Sequence, residues 1–140
     1  MRLIATALLL ATTVLHLAAA AATDLLGTWT VDPDATWEKL KDLPQLKALP
    51  PETAALAKSA FATQSAGMSF TFTADRLTTT TAGVKREETY TIVSIEGDTI
   101  TAEGTDDQGK KERSIIRFEN NRMVLTSASD PLQKVVLKKQ

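Results

Sequence analysis

Cysteine is absent from this chain of 140 residues, and histidine occurs once, at His16. The lack of cysteine excludes disulfide bonds, a thiol nucleophile and lipid attachment at an N-terminal cysteine. Basic residues form no block and do not alternate with aromatic residues, so nucleic acid is not an expected partner. Any chemistry would therefore have to rest on carboxylates, lysines, hydroxyl groups or Tyr90.

The first 22 residues have the pattern of a secretory signal peptide. Arg2 is followed by an uncharged run from Leu3 to Ala22 that is apolar at its centre and rich in alanine at its end. Two Ala-x-Ala cleavage sites can be read, Ala18-Ala19-Ala20 and Ala20-Ala21-Ala22. An uncleaved anchor is the alternative, because an apolar run of ~20 residues can span a bilayer. We expect cleavage, which leaves residues 23–140 as one exported domain without a transmembrane segment.

Removal of the leader also removes Arg2 and His16, which changes the formal net charge from −1 to −2. The remaining chain has neither Cys nor His, and therefore lacks Ser-His machinery and the usual ligands of zinc and haem. We expect no enzyme activity, no metal and no cofactor. An exported chain without cysteine is typical of the bacterial envelope, so we expect the protein in the periplasm or outside the cell.

Alternating apolar and polar residues predict a mostly β fold. A first strand spans Leu25 to Val31, and a period of two begins again at Met68. Six turn signals divide the chain after Met68 into seven more strands: Asp75-Arg76, Ala82-Gly83, Gly97-Asp98, Asp107 to Lys110, Asn120-Asn121 and Ser129 to Pro131. Short turns make neighbouring strands antiparallel. An eight-stranded antiparallel meander closes into a barrel, because closure removes both edges.

A two-helix insert is expected between strands 1 and 2. Asp32 is a suitable N-cap and Pro33 a suitable first helical residue, and Pro44 ends this helix. Pro51 begins a second helix, for which Gly67 is a plausible end.

Turn lengths predict the register of four strands and three inward-facing layers. A two-residue loop at Asn120-Asn121 and another at Gly97-Asp98 fix two hairpins, and an odd-length loop centred on Gly109 joins them. The predicted layers are Ile95, Ile100, Phe118 and Met123; then Val93, Ala102, Ile116 and Leu125; then Thr91, Gly104, Ser114 and Ser127. The third layer is small and polar and lies where the insert begins. Pairing of Phe72 with Thr79 points Thr81 to the same end. Tyr90 and Ile92 then face outward, unless a bulge at Ser94 shifts the phase.

Gly27-Thr28-Trp29 on the first strand, with a closed meander and a long first connection, resembles the lipocalins and their calycin relatives. The resemblance implies that Trp29 packs across the closed end of the barrel and that a small hydrophobic molecule binds at the open end. The family's Thr-Asp motif before strand 7 is replaced by Glu119 to Arg122. For the arginine that stacks on the Trp, only Lys134, Lys138 and Lys139 are available. We interpret the chain as a compact bacterial lipocalin-like domain.

The polar layer and the insert together form the predicted ligand site, because a barrel of eight strands either fills with side chains or holds one small ligand. The predicted ligand-binding residues are Trp37, Leu40, Phe61, Thr81, Thr91, Gly104, Ser114 and Ser127. The alternative is a mouth plugged by Trp37, Leu40 and Phe61. The protein would then be a ligand-free interaction module, such as a protease inhibitor or an envelope assembly factor. We expect a monomer in either case.

Overall fold

A computed structural model describes residues 20–140 and shows a closed barrel of eight antiparallel strands in sequential order. The predicted fold class is confirmed. The strands are β1 (Gly27–Val31), β2 (Ser69–Phe72), β3 (Arg76–Thr81), β4 (Val84–Glu96), β5 (Thr99–Thr105), β6 (Lys111–Glu119), β7 (Arg122–Ser127) and β8 (Lys134–Lys139). Pairing of β1 with β8 closes the barrel.

The predicted leader lies almost wholly outside the described residues, which begin at Ala20. The amide of Ala20 donates to the carbonyl of Gly97 at 2.7 Å. A 3₁₀ turn follows at Ala22–Leu25, so β1 begins at Gly27 rather than at the predicted Leu25. Within residues 20–140 no helix is both long and apolar enough to cross a bilayer.

The insert contains the predicted helices α1 (Pro33–Leu40) and α3 (Pro51–Ser65), with a short helix α2 (Pro44–Lys47) between them. The carboxylate of Asp32 accepts the amide of Ala35 at 3.0 Å, as expected of an N-cap. Helix α1 ends at Leu40, before its predicted end at Pro44, and Pro44 instead begins α2. The short α2 was not predicted, because one turn is too short to give a periodic pattern.

Helix α1 continues the seam between the first and last strands after β1 ends. The amide of Asp32 donates to the carbonyl of Val136 at 2.8 Å. The hydroxyl of Thr36 donates to the carbonyls of Asp32 and Val136 at 2.8 and 3.3 Å and accepts the amide of Val136 at 2.9 Å. Both Thr36 and Val136 are buried. A helix side chain therefore satisfies the backbone groups of β8 that β1 leaves free.

An ion pair between Asp32 and Arg122, at 2.8 Å, fixes the start of α1 to β7. Burial acts to raise the pKa of Asp32, but the amide of Ala35 and the Arg122 guanidinium outweigh it, and the pKa lies below its ordinary value. The Asp32 carboxylate therefore binds a proton less readily in the native protein than in the unfolded chain. The resulting stabilisation is present above the unfolded pKa of about 4 and is lost as the pH falls toward the native pKa.

We expect Asp32→Asn, which keeps the N-cap and removes the charge, to lower the free energy of unfolding at pH 7 by about 1 kcal/mol. This difference from the wild type should shrink below about pH 4. Urea denaturation between pH 3 and 7 measures it. Asp34→Asn is the matched control, because Asp34 pairs with Lys58 on the surface with 83% of its side chain exposed. A difference at Asp32 that stays constant with pH would contradict the prediction.

Two predicted hairpin registers can be compared with the structure directly. Pairing of Phe118 with Met123, and of the residues that follow on β6 and β7, is as predicted. Ile95 also pairs with Ile100, but a β-bulge between Ile92 and Ser94 then shifts β4. The predicted pairings of Val93 with Ala102 and Thr91 with Gly104 are therefore wrong. The actual partners of Ala102 and Gly104 are Ile92 and Tyr90.

Two further registers differ from prediction by two residues. Five residues, Asp106 to Lys110, separate β5 from β6, so the loop is centred on Gln108 instead of Gly109. The Asp106 carboxylate holds this loop by accepting the amides of Gln108 and Lys110 at 2.9 and 2.8 Å. Ile100 consequently pairs with Ile116, not Phe118. Phe72 likewise pairs with Leu77 rather than Thr79. A shift of two keeps every side chain on its predicted face.

Candidate ligand-binding site

Trp29 closes one end of the barrel. The residue is 4% exposed, and its indole nitrogen donates to the carbonyl of Leu25 at 2.8 Å. Its ring lies 6.3 Å from the ring of Phe118, and the ammonium of Lys139 lies 5.5 Å from its centroid. The lysine therefore occupies the place that the lipocalin resemblance gives to an arginine, in a cation–π contact.

Gly27 is required at this closed end by its backbone. Its φ of +115° is strained for any residue with a side chain, and an added Cβ would approach Lys139 Cε to 3.3 Å. The glycine and the tryptophan of the Gly-x-Trp pattern thus serve the same closed end.

A cavity of about 80 Å³ lies toward the opposite end of the barrel. Most of its lining is apolar, and carboxylates stand at its margin. The lining residues are Phe72, Leu77, Glu88, Tyr90, Ala102, Gly104, Glu112, Ser114, Ile116 and Leu125. Its volume is roughly half that of the ~150 Å³ apolar cavity known to hold benzene. A guest inside it is therefore a short chain, or one end of a larger molecule.

A wider groove of about 690 Å³ borders the cavity at Glu88. It lies between the β3–β4 hairpin and the β5–β6 loop and is lined by charged and polar side chains: Lys85, Arg86, Glu87, Glu88, Asp106, Asp107, Gln108 and Lys110. Ligand sites commonly measure about 300–1,000 Å³, so the groove and the cavity together reach that range.

Three of the predicted site residues lie at this cavity. Gly104 and Ser114 line it. Ser127 stands beside it, because its hydroxyl donates to Glu112 Oε1 at 2.8 Å and Glu112 is part of the lining. Phe61 packs against the buried core without lining the cavity.

The remaining four predicted residues lie elsewhere. Thr91 is exposed on the outer wall opposite Glu103, because the β-bulge reverses the face of β4. Thr81 is exposed at the tip of the β3–β4 hairpin. Trp37 and Leu40 are half-buried on α1, which packs against β8 and α3 rather than over the cavity.

Sequence reasoning missed the carboxylates and Tyr90. The signal for Tyr90 is its alternation with Glu88 and Ile92, which places all three on one face of β4 before the bulge. Glu112 continues the inward face of Ser114 and Ile116 by one step toward the rim. An inward charge at the end of a strand thus marks where the barrel interior meets solvent.

The side chain of Tyr90 has a structural role in the wall of the cavity. Its hydroxyl donates to the carbonyl of Thr73, and its ring meets Phe72 edge-on with centroids 5.7 Å apart. Burial, with a smaller contribution from the Asp75 carboxylate, raises the pKa of Tyr90 above its ordinary value. The phenol is therefore neutral at physiological pH and is not available as a base.

Glycine at position 104 makes room for a carboxylate. An ideal Cβ on Gly104 would lie 3.2 Å from Glu88 Oε2, which shows how closely that carboxylate lies over the glycine. Gly104 also pairs with Glu112 on β6, whose carboxylate accepts the hydroxyls of Ser127 and Ser129. No group of three or more His, Cys, Asp or Glu side chains within residues 20–140 is placed to hold a metal ion.

Comparison of the chain with protein-family models gives no match, and neither a curated protein nor a solved structure matches it. The fold class of the chain is a closed eight-stranded antiparallel barrel with a helical insert after β1. Any function must therefore be argued from the site itself.

Proposed function

We propose that this chain is an exported lipocalin-like barrel that binds a small molecule, with an apolar part of that molecule inside the cavity. The observation that supports this proposal most directly is the mainly apolar cavity at the end of the barrel opposite Trp29. The Gly27-x-Trp29 pattern, the closed meander and the Lys139 contact support kinship with lipocalins. The leader-like residues 1–22 support export to the periplasm or beyond the cell.

The size of the cavity limits how much affinity it supplies. Each buried CH₂ contributes about 0.8 kcal/mol, so a four-carbon chain contributes about 3 kcal/mol. A dissociation constant of 1 mM corresponds to about 4 kcal/mol. A bare short chain therefore binds more weakly than millimolar, and a natural ligand needs polar contacts at the rim or in the groove.

Entry of a short chain can be tested with 1-butanol and methyl-resolved NMR of the protein. We expect shifts at the methyl groups of Ala102, Ile116 and Leu125, which line the cavity. Ala102→Leu should abolish them, because the added carbons occupy the same space. Thr91→Leu is the matched control: it adds similar bulk on the outer wall and should leave binding unchanged.

Absence of shifts at the cavity methyl groups, with butanol near its solubility limit, would overturn the proposed function. Equal shifts in Ala102→Leu and the wild type would overturn it as well, because the probe would then bind elsewhere. The midpoint of thermal denaturation, measured for each variant, shows whether that variant is folded.

An interaction module is the second candidate, and exposed apolar side chains on the outer wall favour it. Val93 and Ile115 are 47% and 39% exposed. They lie near one another, since Ser94, next to Val93, and Ile115 both pair with Thr101. A protein partner covering this wall would protect the amides of β4 to β6 from hydrogen exchange while leaving the cavity methyl groups unshifted.

A further inference from the structure

The carboxylates of Glu88 and Glu112 give the mouth of the cavity a negative charge. Both residues line the enclosed space, where Glu88 is half-buried and Glu112 is exposed. No lysine or arginine is among the cavity's lining residues. The cavity therefore combines an apolar interior with an acidic entrance.

Neither carboxylate is neutralised by an ion pair among the residues that the structure describes. Glu112 accepts the hydroxyls of Ser127 and Ser129 at 2.8 and 3.4 Å, which orient it without cancelling its charge. The side chain of Glu88 has no hydrogen bond or ion pair within residues 20–140.

The neighbouring lysine and arginine side chains lie outside the cavity. Lys111 and Arg113, on either side of Glu112 in sequence, both pair with Glu103 on the outer wall at 3.2 Å. Lys85, Arg86 and Lys110 line the groove, where four carboxylates accompany them: Glu87, Glu88, Asp106 and Asp107. The groove thus has no excess of positive charge that would attract an anion to the cavity.

We propose that the ligand carries a primary ammonium group, which binds the carboxylates at the cavity mouth, Glu88 and Glu112, while its short alkyl chain fills the cavity. This inference rests on the binding role proposed above. An ammonium group donates three hydrogen bonds, and carboxylates are its strongest acceptors. A carboxylate or phosphate head at the same place would be repelled by both glutamates, which excludes fatty acids as the preferred guests.

The test compares three probes with the same four-carbon chain: n-butylammonium, 1-butanol and butyrate. Dissociation constants come from shifts of the cavity methyl groups at fixed pH and low salt. We expect butylammonium to bind at least about tenfold more tightly than butanol, and butyrate to bind most weakly. Raising the salt concentration should reduce the advantage of the amine, because the carboxylates are partly exposed to solvent.

Variants then assign the preference to the two glutamates. Glu88→Gln combined with Glu112→Gln should bring butylammonium to the affinity of butanol and leave butanol unchanged. Glu96→Gln is the control, because it removes one exposed charge at the far end of β4, away from the cavity lining. Its ratio of amine to alcohol affinity should stay that of the wild type.

The possible outcomes separate this inference from the proposed function. Equal binding of the three probes, or tightest binding of butyrate, overturns the ammonium preference and leaves the binding role standing. An amine preference that survives in the double variant overturns the assignment to Glu88 and Glu112. Failure of all three probes to shift the cavity methyl groups overturns the binding role as well.

Discussion

Replacement of Trp29 by alanine is expected to lower the free energy of unfolding by about 3–5 kcal/mol. The substitution empties the closed end of the barrel, because the indole packs against Phe118 and beneath Lys139. It also removes the donor to the buried carbonyl of Leu25. Native domains usually have a free energy of unfolding of about 5–15 kcal/mol, so the variant should be marginally folded.

Trp37→Ala provides the matched control for the loss of an indole. Trp37 is half-buried on α1 and stands outside the buried core of the barrel. We expect it to cost about 1–2 kcal/mol, since much of the removed surface was already in water. Circular dichroism during guanidinium denaturation measures both variants without relying on tryptophan fluorescence. If the two substitutions cost the same, Trp29 does not close the barrel as described.

Thr36→Val should cost about 1–3 kcal/mol, although it changes neither the size nor the branching of the side chain. The hydroxyl accepts the amide of Val136 and donates to two carbonyls, and the residue is fully buried. Valine offers no partner, so the amide of Val136 stays buried without a hydrogen bond. Faster hydrogen exchange at the Val136 amide should accompany the loss of stability.

Two further substitutions test this explanation. Thr63→Val, on the exposed side of α3, removes a hydroxyl that donates to the carbonyl of Ser59 and should change stability by less than about 0.5 kcal/mol. Thr36→Ser keeps the hydroxyl and should recover most of the loss. Equal destabilisation by serine and valine at position 36 would contradict the prediction, because serine keeps the hydroxyl and loses only the methyl group.

Turn chemistry made the β6–β7 hairpin predictable. Asn120 and Asn121 have φ values of +51° and +60°, which asparagine tolerates better than most residues, and such a two-residue loop admits only one register. Asp32-Pro33 predicted the start of α1 equally well, since an N-cap residue followed by a first-turn proline is typical of a helix N-terminus.

The sequence offered the bulge at Ser94 only as an alternative to the regular register of β4, because an inserted residue changes the pairing without changing the composition. Ile92, Val93 and Ile95 are all apolar, so any phase buries some of them. The structure exposes Val93 and Ile95 by 47% and 42% and turns Tyr90 inward. One residue therefore moved Thr91 out of the candidate site and brought Glu88 and Tyr90 into it.

The position of α1 was also beyond sequence reasoning. Its amphipathic pattern shows that it covers an apolar surface but not which one, and two surfaces were available: the mouth and the outer wall. The surface that α1 covers is decided by the hydrogen bond between Thr36 and Val136, which lies 100 residues further along the chain. A long-range hydrogen bond of this kind leaves no local signature.

The seam between β1 and β8 has a consequence for the order of events during synthesis. Every other strand pairs with its neighbour in sequence, so those hairpins can form as soon as each segment is available. The seam joins Trp29 to Lys139 and cannot form until β8 has been made. Closing a loop of that length costs more chain entropy than any single hairpin. Until β8 pairs with β1, the sheet cannot close and keeps two free edges.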